Sequence, residues 1–141
     1  MPDFSTFTQE QLTAFGAKYL PGHLGIQILR VANGEVHARL DVKTHHLAPN
    51  GYLHAGTVVT LADTAAGYAC LANLPEGGES FTTIELKSNH LGTARDGAIE
   101  AVAKPVHLGR TTQVWDVTVT NAGSGKTVAL FRCTQMILYP K

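Results

Sequence analysis

Between Asn50 and Leu71 the chain reads NGYLHAGTVVTLADTAAGYACL, and Asp63 is the only acid in it. The residues around Asp63 are mostly small and apolar, and no Lys or Arg occurs between Lys43 and Lys87. A carboxylate there has no cation one helical turn away to offset the cost of leaving water. Unpaired acids in apolar surroundings favour functional sites, where they take a proton or attack an electrophilic carbon. Burial raises the pKa of such a group, and hydrogen bonds from hydroxyls oppose the rise. The structural alternative is a carboxylate bonded to Thr60 or to a loop.

Such chemistry also needs a donor for the oxygen that becomes negative. The first N–H groups of a helix have no intrahelical acceptor and sit at the positive end of its dipole. The segment His54-Ala55-Gly56, at the start of the same long apolar run, supplies such groups without a cation. His54 either bonds the preceding loop or meets a substrate. Asn50-Gly51 is first of all a turn, with an orienting role for Asn50 second.

The elements that must position these residues follow from periodicity. The run TFTQEQLTAFGAKYL opens with Thr6 or Thr8 as caps and spaces Phe7, Leu12, Phe15 and Tyr19 at helical intervals. It predicts a short amphipathic helix ended by Pro21-Gly22. The alternating runs LGIQILRV and EVHARLDV flank Asn33-Gly34, a strong hairpin signal. The stretch from about His54 to Leu74 is too long for one strand and ends at Pro75 and Gly77-Gly78, so it reads as a helix. Four strand-like runs follow: SFTTIELKSNHL, AIEAVAKPVHL, TTQVWDVTVTN and TVALFRCTQMILY. In the first and third, alternation places one face on the core and the other toward solvent or a partner. Pro105 demotes part of its strand to an edge or a bulge. Six mostly antiparallel strands bury a long apolar helix only by curling around it, so the expected class is α+β, a single sheet wrapped on a central helix.

The whole chain sets bounds. Its 141 residues suit one domain spanning 1–141. Zero formal net charge predicts neither a nucleic-acid nor an anionic-membrane partner. The N-terminus lacks a basic region followed by an apolar one, which predicts no signal peptide. The apolar run contains Asp63, three threonines and Asn73 and has no basic flank, so it reads as a core helix and not a membrane span. Cys70 and Cys133 lie in apolar runs without metal-type spacing and read as buried thiols, consistent with a cytoplasmic setting. Seven histidines are present, but His45, His46 and His54 are not joined by a second tightly spaced ligand pair, so no metal is expected.

The element order, together with HLAPNGYLHAGTVVTLADTAAGYAC, resembles the hotdog-fold acyl-CoA thioesterases of the phenylacetate-degradation (PaaI-like) branch. The resemblance runs from about Leu24 to Tyr139. Its most specific part is Asn-Gly, then His-Gly-Gly, then an acid eight residues after the first of those glycines; here Asn50-Gly51, His54-Ala55-Gly56 and Asp63. The resemblance implies that Asp63 is the base or nucleophile attacking the thioester and that the Ala55 N–H polarises its carbonyl. It also implies that Thr83, or neighbouring Thr82, holds the water or the acid. The family tends to carry Asn or Gln six residues before the motif histidine, where this chain has Ala48, so that helper is absent unless Asn50 replaces it. No cofactor is implied.

Ala55 and Asp63 are eight residues apart on one helix, about 12 Å along its axis. Both must lie within about 3 Å of one thioester. The site must therefore combine Asp63 of one subunit with the helix start of another: a homodimer at least. The resemblance implies paired hotdogs, often in tetramers. Small residues near the helix leave room for an aryl or medium-chain acyl group, with Gly56, Tyr52, Leu53, Phe81 and Leu91 as candidate binding residues. Arg110 is the candidate for a coenzyme A phosphate, with Arg95, Lys104 and Lys87 as alternatives. Two rivals stand beside the thioesterase. Asp41 and His46 are the acid and imidazole of a hotdog hydratase reading, and the missing amide at Ala48 supports a module that binds acyl-CoA without turnover.

Overall fold

A computed structural model describes residues 3–141. Six strands form one sheet in the order β1-β2-β4-β5-β6-β3, with every neighbouring pair antiparallel. They are β1 (Gln27–Ala32), β2 (Glu35–Asp41), β3 (Ser80–His90), β4 (Ala98–Leu108), β5 (Thr112–Asn121) and β6 (Thr127–Leu138). The long helix, named α3 because two short helices precede β1, is Ala55–Ala72 and lies in the concave face of the sheet. This is the expected hotdog arrangement.

Local chemistry explains each boundary. Asn33 and Gly34 both adopt positive φ, 55° and 77°, which matches the twist of the β1–β2 hairpin. His54 caps α3, and at its far end Asn73 Nδ2 donates to the Ala69 carbonyl at 2.8 Å before Pro75 closes the exit. Inside the sheet α3 buries Val58, Leu61, Ala62, Ala65, Ala66 and Ala69 against Val36, Leu40, Ile99 and Trp115. Each buried large apolar side chain contributes about 1.5–3 kcal/mol. The alanines let the helix sit close to the strands. By length and composition α3 is apolar enough to cross a membrane, but here most of it is buried in the sheet. Cys70 and Cys133 are free and buried.

Three expectations are refined. The N-terminal helix ends earlier than Pro21-Gly22: α1 is Gln9–Phe15, and a separate α2 is Leu20–Leu24. Thr8, not Thr6, is the cap, in a reciprocal pair with Gln11. Pro21 starts α2 because a first helical turn needs no N–H from it. Gly16 caps the end of α1, and its missing Cβ lets this segment pass close to the Tyr68 hydroxyl on α3. The second refinement concerns β3. It is an edge strand, Ile84 (53% exposed) and Leu86 (41%) remain uncovered, and a bulge interrupts its pairing between Thr83 and Glu85. The alternating pattern of β3 therefore lacks, within one chain, the cover that the same pattern receives in β5. Third, Pro105 produces both expected outcomes. Pairing of β4 with β2 stops at Ala103, and a bulge separates Pro105 from His107 in the pairing with β5.

Candidate functional site

Asp63 lies mid-way along α3, half-buried, with Oδ1 enclosed and without a hydrogen-bond partner among the described residues. Burial lifts its pKa above the usual carboxylate value, and the neighbouring Thr83 hydroxyl opposes the rise. Thr83 stands just before the β3 bulge, a device that re-aims side chains. In the structure its Oγ1 donates to Gln135 Oε1 at 2.7 Å.

Asp63 forms part of the wall of a cavity of about 470 Å³. Gly67, Tyr68 and Phe81 line it from α3 and β3, and Phe4, Phe15 and Pro21 close it from the N-terminal segment. Phe15 packs on Tyr68 with ring centroids 6.1 Å apart and on Phe4 at 5.4 Å. Gly67 is required by this packing: a Cβ there would come within 2.9 Å of the Phe81 ring. Of the residues expected to line an acyl site, Phe81 does so. Phe4, Phe15, Pro21 and Tyr68 were not foreseen. Positions 63, 67, 68 and 71 share one helical face, so periodicity carried a signal for Tyr68 and Leu71; nothing local linked them to Phe4 or Phe15.

A second cluster gathers at the start of α3. His54 Nδ1 accepts the Gly56 N–H at 2.7 Å, and the His54 carbonyl accepts from Thr57 and Val58. The Gly56 amide is thus occupied, whereas the Ala55 N–H has no acceptor among the described residues. Because Nδ1 is the acceptor in that bond, the proton of a neutral imidazole sits on Nε2, which becomes an outward donor. Asn50 holds the preceding turn through its Oδ1, which accepts the Tyr52 N–H at 3.1 Å, and Gly51 has φ 85°. The Asn50 carboxamide nitrogen stays free of that turn. Arg95 stacks over the Tyr52 ring, its guanidinium carbon 4.2 Å from the centroid. Leu53 N–H donates to Thr93 Oγ1 at 3.2 Å, tying the loop around Arg95 to the helix start.

The side chains of the remaining candidates lie apart from both clusters. Thr82 is exposed on the opposite face of β3 and Leu91 is 64% exposed, while Leu53 joins the helix-start cluster only through its backbone, its side chain packing toward the core. Arg110 is exposed in the β4–β5 turn, where its carbonyl accepts from the Tyr139 hydroxyl. The hydratase pair is not assembled for substrate. His46 is buried, with Nδ1 accepting the Lys43 N–H and Nε2 meeting the Leu24 carbonyl, both at 2.8 Å. Asp41 pairs with Arg39 at 3.1 Å on the surface. His46 serves instead to hold the loop that feeds α3, its carbonyl accepting from His54 N–H and Thr57 Oγ1.

A six-stranded antiparallel sheet wrapped on one long helix defines the hotdog class. Residues 50–128 match the model of the thioesterase superfamily. The chain is 33% identical over 134 residues to 1,4-dihydroxy-2-naphthoyl-CoA hydrolase of Escherichia coli, covering 93% of this chain and 95% of that one. Among solved structures, a thioesterase from Haemophilus influenzae superposes with a TM-score of 0.89 at 31% identity, over 95% of this chain and 92% of that one. The PaaI protein of the Escherichia coli phenylacetic acid degradation operon superposes with a TM-score of 0.76 at 29% identity, over 84% and 83%. The chain belongs to the thioesterase superfamily. It is an enzyme, a thioester hydrolase of the hotdog fold.

Proposed function

We propose that this single hotdog domain hydrolyses an aryl- or medium-chain acyl-CoA to the free acid and coenzyme A, with Asp63 as base or nucleophile. The observation that carries the reading is Asp63 itself: an acid with an unpaired, enclosed oxygen on the wall of a 470 Å³ cavity lined by aromatic rings. Of the two acyl classes the rings favour the aryl one, and the naphthoyl-CoA hydrolase relative supports it. When Asp63 acts as base, water attacks the thioester carbon, its proton passes to Asp63, and the C–S bond breaks as the sulfur leaves and takes up a proton. The Ala55 N–H receives the developing oxyanion because it alone at the helix start has no prior acceptor, and His54 Nε2–H is a second donor beside it. Asn50, through its free carboxamide nitrogen, takes the place of the amide missing at Ala48. Arg95, held by Tyr52 three residues before Ala55, meets a phosphate of coenzyme A in preference to Arg110.

Asp63 and Ala55 both belong to α3 (Ala55–Ala72), about 12 Å apart along its axis, so the two halves come from different subunits. The uncovered β3 edge supplies a surface for that pairing, and the homodimer is the catalytic unit, assembled further into a tetramer in the cytoplasm. The test is thiol release from benzoyl-, phenylacetyl- and hexanoyl-CoA. Asp63→Asn is expected to lower kcat by about 10²–10⁴-fold while acyl-CoA still binds. Undiminished hydrolysis in that variant overturns the assignment, and binding without any turnover in the unaltered protein establishes the binding-module reading instead.

A further inference from the structure

We propose that Gln135 is a positioning residue for this hydrolysis, setting whether the Thr83 hydroxyl gives its proton to the sheet or to Asp63. The inference rests on the role proposed above for Asp63.

Gln135 is fully buried on β6, directly opposite Thr83 on β3 and Gln113 on β5. The two glutamines share a row but not a situation. Gln113 is satisfied at both ends: its Oε1 accepts from Trp115 Nε1 and its Nε2 donates to the Asn73 carbonyl, each at 2.8 Å. Gln135 is not. Its Oε1 accepts from Thr83, and its Nε2 faces only the Cys133 sulfur at 3.4 Å, a weak acceptor. Given to Gln135 Oε1, the single Thr83 proton cannot also go to Asp63, so in this orientation the bond by which Thr83 would hold the Asp63 pKa down is not made and Oδ1 has no donor among the described residues.

One rotation reverses all three features. The terminal torsion of a glutamine is broad and two-fold, so its O and N exchange places within nearly the same volume. In the turned state Nε2–H donates to Thr83 Oγ1, the Thr83 proton swings to the Asp63 carboxylate, and the Cys133 S–H donates to Oε1. That state holds Asp63 as the anion that attacks or takes a proton. In the orientation shown, a protonated Asp63 donates to Thr83 Oγ1, Thr83 donates to Gln135 Oε1, and the chain runs the other way. The two states differ by the one proton that Asp63 takes from the attacking water and then yields to the leaving sulfur, and the amide turns with it.

The test compares Gln135→Met, which keeps the volume and removes both polar atoms, with Thr83→Val and with the double variant. Gln135→Met is expected to move the acid limb of the kcat–pH profile downward, because the Thr83 proton, no longer held by Oε1, stays with the Asp63 carboxylate, and to lower kcat about tenfold at unchanged KM as the base weakens. Thr83→Val, which removes the donor itself, should move the limb upward, and the double variant should match Thr83→Val. The limb reports Asp63. Burial pushes the Cys133 thiol, facing it from β6, up to about 12 and raises the Tyr68 phenol, while among the described residues β3 and the N-terminal segment bring no ionisable group to that wall. In the proposed dimer His54 of the partner subunit also faces the site and is common to every variant. An unmoved limb in Gln135→Met, or losses that multiply with Thr83→Val, overturns the inference. Should Gln135→Met not fold, Cys133→Ser must retain more of kcat than Cys133→Ala, because serine keeps the donor for Oε1; equal behaviour overturns it. Absence of thiol release by the unaltered protein removes the thioesterase reading and this inference together, whereas turnover with an unmoved limb removes the inference alone.

Discussion

Asp63 carries a cost that its stability profile should expose. Burial raises its folded-state pKa above the value it has in the unfolded chain. Between those two values the folded protein binds the extra proton, so stability falls as pH rises through that window. Below the unfolded value both states are protonated and the effect disappears. Asp63→Asn, which keeps the shape and removes the charge, should therefore raise Tm at pH 7 while leaving it near the unaltered value below about pH 3.8. Thermal unfolding at the two pH values checks this, and an equal Tm change at both would mean that the charge is not the cause. In its proposed role as base, the same group is expected to set the acid limb of activity above the range of an ordinary carboxylate.

The start of α3 is where element chemistry and catalysis meet. Ala55 is the first helical residue and His54 before it is extended, at φ −67° and ψ 134°. That position welcomes proline, and the extended conformation before it is the one proline requires. Ala55→Pro should therefore delete one N–H and spare the helix. We expect kcat to fall about 10²–10³-fold with Tm nearly unchanged, as for loss of one oxyanion donor. A variant that keeps its activity would place the oxyanion elsewhere. The loop bearing Arg95 predicts a different signature. Arg95→Ala should raise KM for benzoyl-CoA about fivefold or more and leave KM for the benzoyl thioester of N-acetylcysteamine, which lacks the phosphates, unchanged. Equal effects on the two substrates would assign Arg95 to loop stability.

At the scale of the whole molecule, the proposed dimer has each subunit supply half of two sites. Asp63→Asn and Ala55→Pro impair different halves, so a mixed dimer of the two variants contains one site with both halves intact. If subunits exchange freely, half of the dimers are mixed and each has one working site of two, restoring about a quarter of unaltered activity. Mixing after co-refolding measures this directly. Recovery no greater than the sum of the separate variants would show that both groups act within one chain. The uncovered Ile84 and Leu86 on β3 mark the edge where pairing of subunits is expected.

Much of this was legible in order along the chain. Asn33-Gly34 specified its turn because two consecutive positive φ values suit those residues. The stretch around Asp63 announced both a helix and an unpaired acid, because helical spacing and missing cations are local properties. His54-Ala55-Gly56 marked the helix start for the same reason. What the sequence could not convey was which residues face Asp63 across space. Phe4 and Phe15 reach the cavity because the N-terminal segment packs back on Tyr68 of α3, a close approach that Gly16 permits by lacking a Cβ. Gln135 reads as one more residue of a strand until the β3 register sets it opposite Thr83. Periodicity encodes the face on which a side chain lies, whereas its partner depends on strand order and register, which arise only when the sheet closes around the helix.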